Sequence, residues 1–218
     1  MNILDVENPE NIPHPLFPAI FARQQELAEK YREIEGMGQL LDEEHRKTNL
    51  DTLFGQVWLK DFAWRVTEEL TESIEPVVDK RDSFTEMHKL HYLEELSDAL
   101  HFMTELCIIA NIKAEELIPI EDIAPVLAYE ISPEHADEIA LQHWAVVYQL
   151  GLFCNCLKNK KWKQTQMMTD RKKAIKYAVQ AFAQLILCFK KAGCSNEDIY
   201  TLYFKKSEVN KFRQRSNY

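Results

Sequence analysis

With 218 residues, 46% of them hydrophobic, the chain is long enough to bury a sizeable core in one compact domain. Its net charge of −9 argues against a nucleic-acid duplex as partner, and the absence of any run of about 18 uncharged apolar residues excludes a membrane-spanning helix. Five cysteines without a C-x-x-C pair, and an N-terminus without a basic segment leading into an apolar one, predict reduced thiols and a cytoplasmic location.

Only 5 glycines and long stretches of 3.6-residue periodicity predict an all-α fold, a helical bundle of about six helices. Pro9, Pro13 and Pro15 mark an irregular N-terminal arm. Leu16, Ile20, Leu27 and Tyr31 then outline a first helix ending near Gly36, and residues 36–51 read as a polar connection. A second helix is expected from Leu53 to Val77, with Val66, Leu70, Ile74 and Val77 on one stripe. A third, from Thr85 to Ala110, carries Leu93, Leu96, Leu100, Met103, Cys107 and Ala110 at alternating steps of three and four, the seam of a central bundle helix.

Pro119, Pro125 and Pro133 limit residues 111–133 to short turns. Helices over 134–157 and 170–191 follow. Gly193 sits where a helix ends on a left-handed residue, and Ser195 with Asp198 forms a capping box opening a last helix through about Arg213. The segments after the third and the penultimate helices, A-N-I-K-A-E-E-L-I (110–118) and A-G-C-S-N-E-D-I-Y (192–200), echo each other.

Charge is distributed unevenly along the chain. Residues 1–150 hold 11 Lys+Arg against 31 Asp+Glu, leaving −20, whereas residues 151–218 hold 15 against 4, leaving +11. This is either two solvated faces of opposite sign or an acidic metal site facing a cationic phosphate site.

Glu69 and Glu72, three apart, project from one face of the second helix, and Glu95 with Asp98 repeats the spacing on the third. If the two helices pack antiparallel, four carboxylates meet at their interface and need a counter-charge. Mg²⁺ fits, because it takes oxygen ligands and completes its shell with water and substrate phosphate. A spare carboxylate is then available as general base.

The embedded E-x-x-E and E-L-S-D-A-L-H-F (Glu95–Phe102) resemble the signature of the all-α nucleoside triphosphate pyrophosphatases. The closing run L-Y-F-K-K-S-E-V-N-K-F-R-Q-R-S-N-Y is similar to that of their dimeric dUTPase and phage dCTPase-dUTPase branch. The resemblance implies Mg²⁺-dependent cleavage of dUTP, dCTP or both, with dUDP a further substrate, to the monophosphate, by a homodimer. It assigns metal binding and catalysis to Glu69, Glu72, Glu95 and Asp98. Phosphate contacts fall to Lys206, Asn210, Arg213 and Tyr218, and base contacts to Gln24, Asn49 and Trp58.

Three departures from the family pattern stand out. The tryptophan-lysine cluster between the acidic pairs is missing, Asn217 replaces a glycine, and about 80 residues separate the E-x-x-D helix from the closing motif, so that 111–168 reads as an insertion within a single domain spanning 1–218. Lys160, Lys161, Trp162 and Lys163 form either a substitute cluster or a basic loop.

Lys206, Asn210 and Arg213 advance by four and then three, so one helical face can offer a point charge, an amide and a guanidinium fork to an anion. A chain ending at Tyr218 without an apolar tail is expected to be mobile until substrate orders it. Two rival readings remain. One is a ferritin-like carboxylate-histidine bundle using Asp98 with His101 and Asp42 with His45; the other is a noncatalytic helical adaptor.

Overall fold

The computed structural model describes residues 1–31, 34–79, 83–125 and 127–216, and among these there is no strand. Seven α-helices follow in order: α1 (Leu16–Tyr31), α2 (Glu43–Arg46), α3 (Leu53–Asp79), α4 (Glu86–Ile109), α5 (Ala136–Cys156), α6 (Arg171–Lys191) and α7 (Asn196–Arg215). Apart from the single-turn α2, they are the six expected helices, with most ends displaced by one or two residues. The first helix is described to Tyr31, and its expected end near Gly36 falls past residues 32–33, which lie outside the described residues. Among the described residues of 111–135 the only helical elements are 3₁₀ turns at Ala114–Glu116, Ile118–Ile120 and Pro133–His135. No described helix is long and apolar enough to cross a membrane.

Helix α4 is the axis of the bundle and packs against α1, α3, α6 and α7. Its expected seam explains this: Leu96, Leu100, Met103, Cys107 and Ala110 are all buried. Tyr92, Ala99, Leu106 and Ile109 extend the burial to other faces, as a central helix requires. Helices α5 and α6 pack along each other and close one side, α5 against α3 and α6 against α4. The segment 111–168 therefore supplies the 3₁₀ turns and α5, which shares the common core through Ile139, Val146, Leu150 and Phe153.

The echo between 110–118 and 192–200 is a repeated way of ending a helix. Asn111 (φ 59°) and Gly193 (φ 87°) are both left-handed, and the following amides reach back five residues, Ile112 to the Cys107 carbonyl and Cys194 to the Phe189 carbonyl. These six-to-one bonds satisfy carbonyls that the helix leaves free. Ser195 and Asp198 form the expected capping box, and α7 starts directly after Ser195.

Helix α3 begins beneath the 36–52 connection. The Asn49 amide donates to the carbonyls of Leu40 and Ile109, at 3.0 Å each. Gly55 admits this close approach, since a Cβ there would lie 2.3 Å from the Asn49 carbonyl oxygen. Across the same corner, Gln56 binds the Leu50 carbonyl, and the Asn159 amide donates to the Gln56 side chain, tying the 157–170 loop to the start of α3. All five cysteines are free thiols.

Candidate active site

Glu69 lies ten residues before the end of α3, and Asp98 twelve after the start of α4, so packing of these consecutive helices sets them level. One oxygen each from Glu69, Glu95 and Asp98 can be chosen so that all three lie within 4.8 Å of one another. Burial, reinforced by Asp98, Glu95 and Glu72, raises the Glu69 carboxyl to about 8. The Asp98 carboxyl is raised to about 7, again chiefly by burial, with Lys206 pulling it back. Burial and mutual repulsion both favour the protonated carboxyls in such a cluster. Its all-oxygen donor set and mutual repulsion are what a hard divalent cation relieves, so the residues fit Mg²⁺. Glu72, the fourth expected carboxylate, is exposed and stands outside the trio.

Lys206 is the internal counter-ion. Its Nζ lies 2.6 Å from Asp98 Oδ2 and 2.8 Å from Glu94 Oε1, with the side chain 5% exposed. Burial disfavours its charge, but Asp98 and Glu94 outweigh that and raise the ammonium above its usual range. Lys206 therefore sits on the carboxylates, whereas Asn210 and Arg213, further along the same face, line a cavity of about 270 Å³ beside them. Glu69 and Asp98 line the same cavity, as does Gln24.

The far end of that cavity is a buried polar network on α1, α4 and α7. Gln24 Nε2 donates to Glu105 Oε2 (2.8 Å), while Gln24 Oε1 accepts from the Tyr203 hydroxyl (2.7 Å) and pairs with His101 Nδ1 (2.7 Å). Burial, helped by Lys206, lowers His101 to about 3, so its ring is neutral. With Nδ1 donating to Gln24, Nε2 is left as an acceptor, and it has no partner. The ring stacks on Tyr203 at 4.0 Å. Glu105 Oε1 is also without a partner, and burial raises that carboxyl to about 7.

Two expected base contacts lie elsewhere in the single chain. Asn49 is occupied at the α3 corner, and Trp58 packs on Phe62, with ring centres 6.2 Å apart. Trp162 is 79% exposed, and the Lys160–Lys163 stretch does not line the cavity. Tyr218 lies outside the described residues.

The C-terminal segment, expected to order when substrate binds, is helical as far as it is described. Helix α7 continues to Arg215 and is docked on α1 by Arg23–Glu208, Lys211–Glu26 and a bond from Gln214 to the Leu27 carbonyl. Val209, buried between these polar links, supplies the apolar anchor.

Glu105, Tyr203 and Arg65, which also lines the cavity, were not singled out by the sequence reading. Glu105 carried a signal: it is a lone carboxylate in the apolar run M-T-E-L-C-I-I, seven residues after Asp98 and so on its face. Among the described residues, no histidine joins the group of carboxylates able to share an ion, and Asp42 pairs with His45 on the separate α2 turn. The paired carboxylate-histidine sets of a diiron bundle are therefore not assembled here.

A family model described as dUTPase matches residues 20–218, a span that runs from α1 through α7 and contains every residue of the cavity. Searches of curated proteins and of solved structures each returned no match. The all-helical architecture and the extent of the family match agree, and the chain belongs to the all-α dUTPase family of nucleotide hydrolases.

Proposed function

We propose that the protein hydrolyses a pyrimidine deoxynucleoside triphosphate, dUTP foremost with dCTP or dUDP as further substrates, to the monophosphate in a Mg²⁺-dependent reaction. For a triphosphate, water adds to one phosphorus of the α,β-anhydride, the bond from that phosphorus to the bridging oxygen breaks, and the products are the monophosphate and pyrophosphate. The observation that carries this reading is the carboxylate trio of Glu69, Glu95 and Asp98, of which Glu69 and Asp98 line a cavity together with Gln24, Asn210 and Arg213.

Glu69, Glu95 and Asp98 would hold the metal, which when bound supplies a Lewis acid for phosphate charge and a water of lowered pKa. Glu72, exposed one turn beyond Glu69, is placed to complete the ligand set or to take a proton from the attacking water. Arg213 and Asn210 orient the phosphates with a planar fork and an amide. Lys206, which faces Asp98, would be free to join them when a divalent ion balances that carboxylate. Gln24 reads the base, and Asn49 and Trp58 retain the supporting role that the resemblance gives them.

The test is a turnover panel of the common nucleoside triphosphates and dUDP with Mg²⁺, reading the monophosphate. A pyrimidine deoxynucleotide should be preferred and EDTA should abolish its cleavage. Absence of turnover on every member would instead favour the noncatalytic adaptor.

The active form in this proposal is a homodimer. Leu141, Trp144 and Tyr148 follow one face of α5 and are 69%, 60% and 52% exposed. Phe54, Val57 and Trp64 do the same on α3, which packs beside α5. Exposed aromatic and aliphatic stripes on neighbouring helices are costly in a monomer and suited to a two-fold interface. Sedimentation should show a dimer for the wild type and a monomer for Leu141→Glu with Trp144→Glu; a wild-type monomer at every concentration excludes it.

A further inference from the structure

Glu105 is unexplained by metal or phosphate chemistry. It lies two turns along α4 from Asp98, about 10 Å by the rise of a helix. That is comparable to the separation between the base edge and the first phosphate of a nucleotide. It is buried, yet one carboxylate oxygen has no partner and the residue lines the cavity. A carboxylate buried only to steady Gln24 would leave that oxygen desolvated for no return, a cost that a serine or a glutamine at this position would avoid.

The neighbouring bonds fix the polarity of the site. Tyr203 and His101 both engage Gln24 Oε1, which prevents the Gln24 amide from flipping and leaves Nε2 facing Glu105. One Nε2 hydrogen is used on Glu105 Oε2, which leaves the second, and Glu105 Oε1 is buried without a partner. The pair thus presents an acceptor next to a donor. Phe102 and Tyr31 supply aromatic faces in the same cavity.

We propose that Glu105 determines base specificity: Oε1 accepts a hydrogen bond from the donor on the Watson–Crick edge of a pyrimidine, the N3 imino of uracil or the N4 amino of cytosine, while the second amide hydrogen of Gln24 meets the adjoining acceptor. This rests on the nucleotide-hydrolase reading above. The adjoining acceptor is O4 or O2 in uracil and N3 in cytosine, so the same protein pair serves either base.

The experiment is calorimetric binding, with Mg²⁺, of the non-hydrolysable α,β-imido analogues of dUTP and dCTP and of inorganic tripolyphosphate, which carries no base. Wild type, Glu105→Leu and Glu105→Gln are compared, with thermal melting as the check on folding. Glu105→Leu should weaken the preferred analogue by about ten- to a hundredfold, Glu105→Gln by less, and neither should change tripolyphosphate binding. A loss confined to the dUTP analogue assigns the bond to the imino donor, and one confined to the dCTP analogue to the amino donor. Folded variants that bind the preferred analogue like wild type overturn the proposal, as does a parallel loss of tripolyphosphate binding, which marks a structural role. If Glu105→Leu fails to fold, Glu105→Gln decides alone. Wild-type protein that binds neither analogue overturns the hydrolase reading itself, an outcome distinct from a Glu105 variant that binds normally.

Discussion

Glu69→Gln and Asp98→Asn should each lower kcat/KM for the preferred nucleotide about a thousandfold, equivalent to about 4 kcal/mol of transition-state stabilisation, without unfolding the protein. Both residues stand in the trio whose oxygens lie within 4.8 Å, and an amide there removes a negative ligand while keeping the shape. Stability should move the other way. The Glu69 carboxyl is raised by burial and by its acidic neighbours to about 8, well above its unfolded value, so the folded state binds the proton more tightly than the unfolded chain. The stability that this proton confers is fully present below the unfolded value near 4.5 and is lost as pH rises through about 8.

Metal-free wild type should therefore melt at progressively lower temperature from pH 5 to pH 8, and Glu69→Gln should flatten that slope. Added Mg²⁺ should raise the wild-type melting temperature at pH 8 by mass action on the folded state, and should act weakly on the variant. Melting curves in EDTA and in Mg²⁺ across this range give both results. Near-normal turnover by Glu69→Gln, or a melting profile that parallels wild type, would remove Glu69 from the metal site. The combination of lost activity and gained stability is the signature expected where function requires like charges to be held together.

The helices were legible because their apolar stripes and their ends are both written locally. The α4 seam from Leu96 to Ala110 and the Ser195–Asp198 box need no knowledge of the rest of the chain. The one-turn α2 left no such trace, since E-E-H-R has no buried residue. The trio was partly legible: spacing places each pair on a face, but which members reach the seam depends on how α3 rotates against α4, and that rotation leaves Glu72 exposed. The surroundings of Asn49 were not legible either. Its amide is consumed by the Leu40 and Ile109 carbonyls, because the chain must turn sharply over Gly55.

Lys206 shows the same limit with larger consequences. Sequence places it on one face with Asn210 and Arg213, and a cation there reads naturally as a phosphate contact. What no local pattern reveals is that the neighbouring surface, one helix away, is Glu94 and Asp98 of α4. The difference is measurable. A lysine reserved for substrate could be replaced at little cost to the free protein, raising KM alone. A lysine that neutralises two largely buried carboxylates cannot, because its removal strands their charge.

Lys206→Met, which keeps the apolar stem and removes the ammonium, should destabilise the metal-free protein at pH 8 by about 3 to 5 kcal/mol, or about 10 °C in melting temperature. The deficit should depend on pH in a defined direction. Without Lys206 to pull it back, the Asp98 carboxyl rises further than the value of about 7 it has in the wild type. Its protonated form then restores stability at low pH, and that stability is lost as pH rises through the folded-state value, so variant and wild type should converge near pH 5 and separate most at pH 8. Mg²⁺ can supply the missing positive charge, and the variant should gain more melting temperature from it than the wild type does. Turnover should fall as well, since the same residue helps to balance the phosphates once the ion is in place. Melting curves of the two proteins at pH 5 and pH 8, with EDTA and with Mg²⁺, test each step. An unchanged melting temperature accompanied by a raised KM would return Lys206 to the role of a simple phosphate contact.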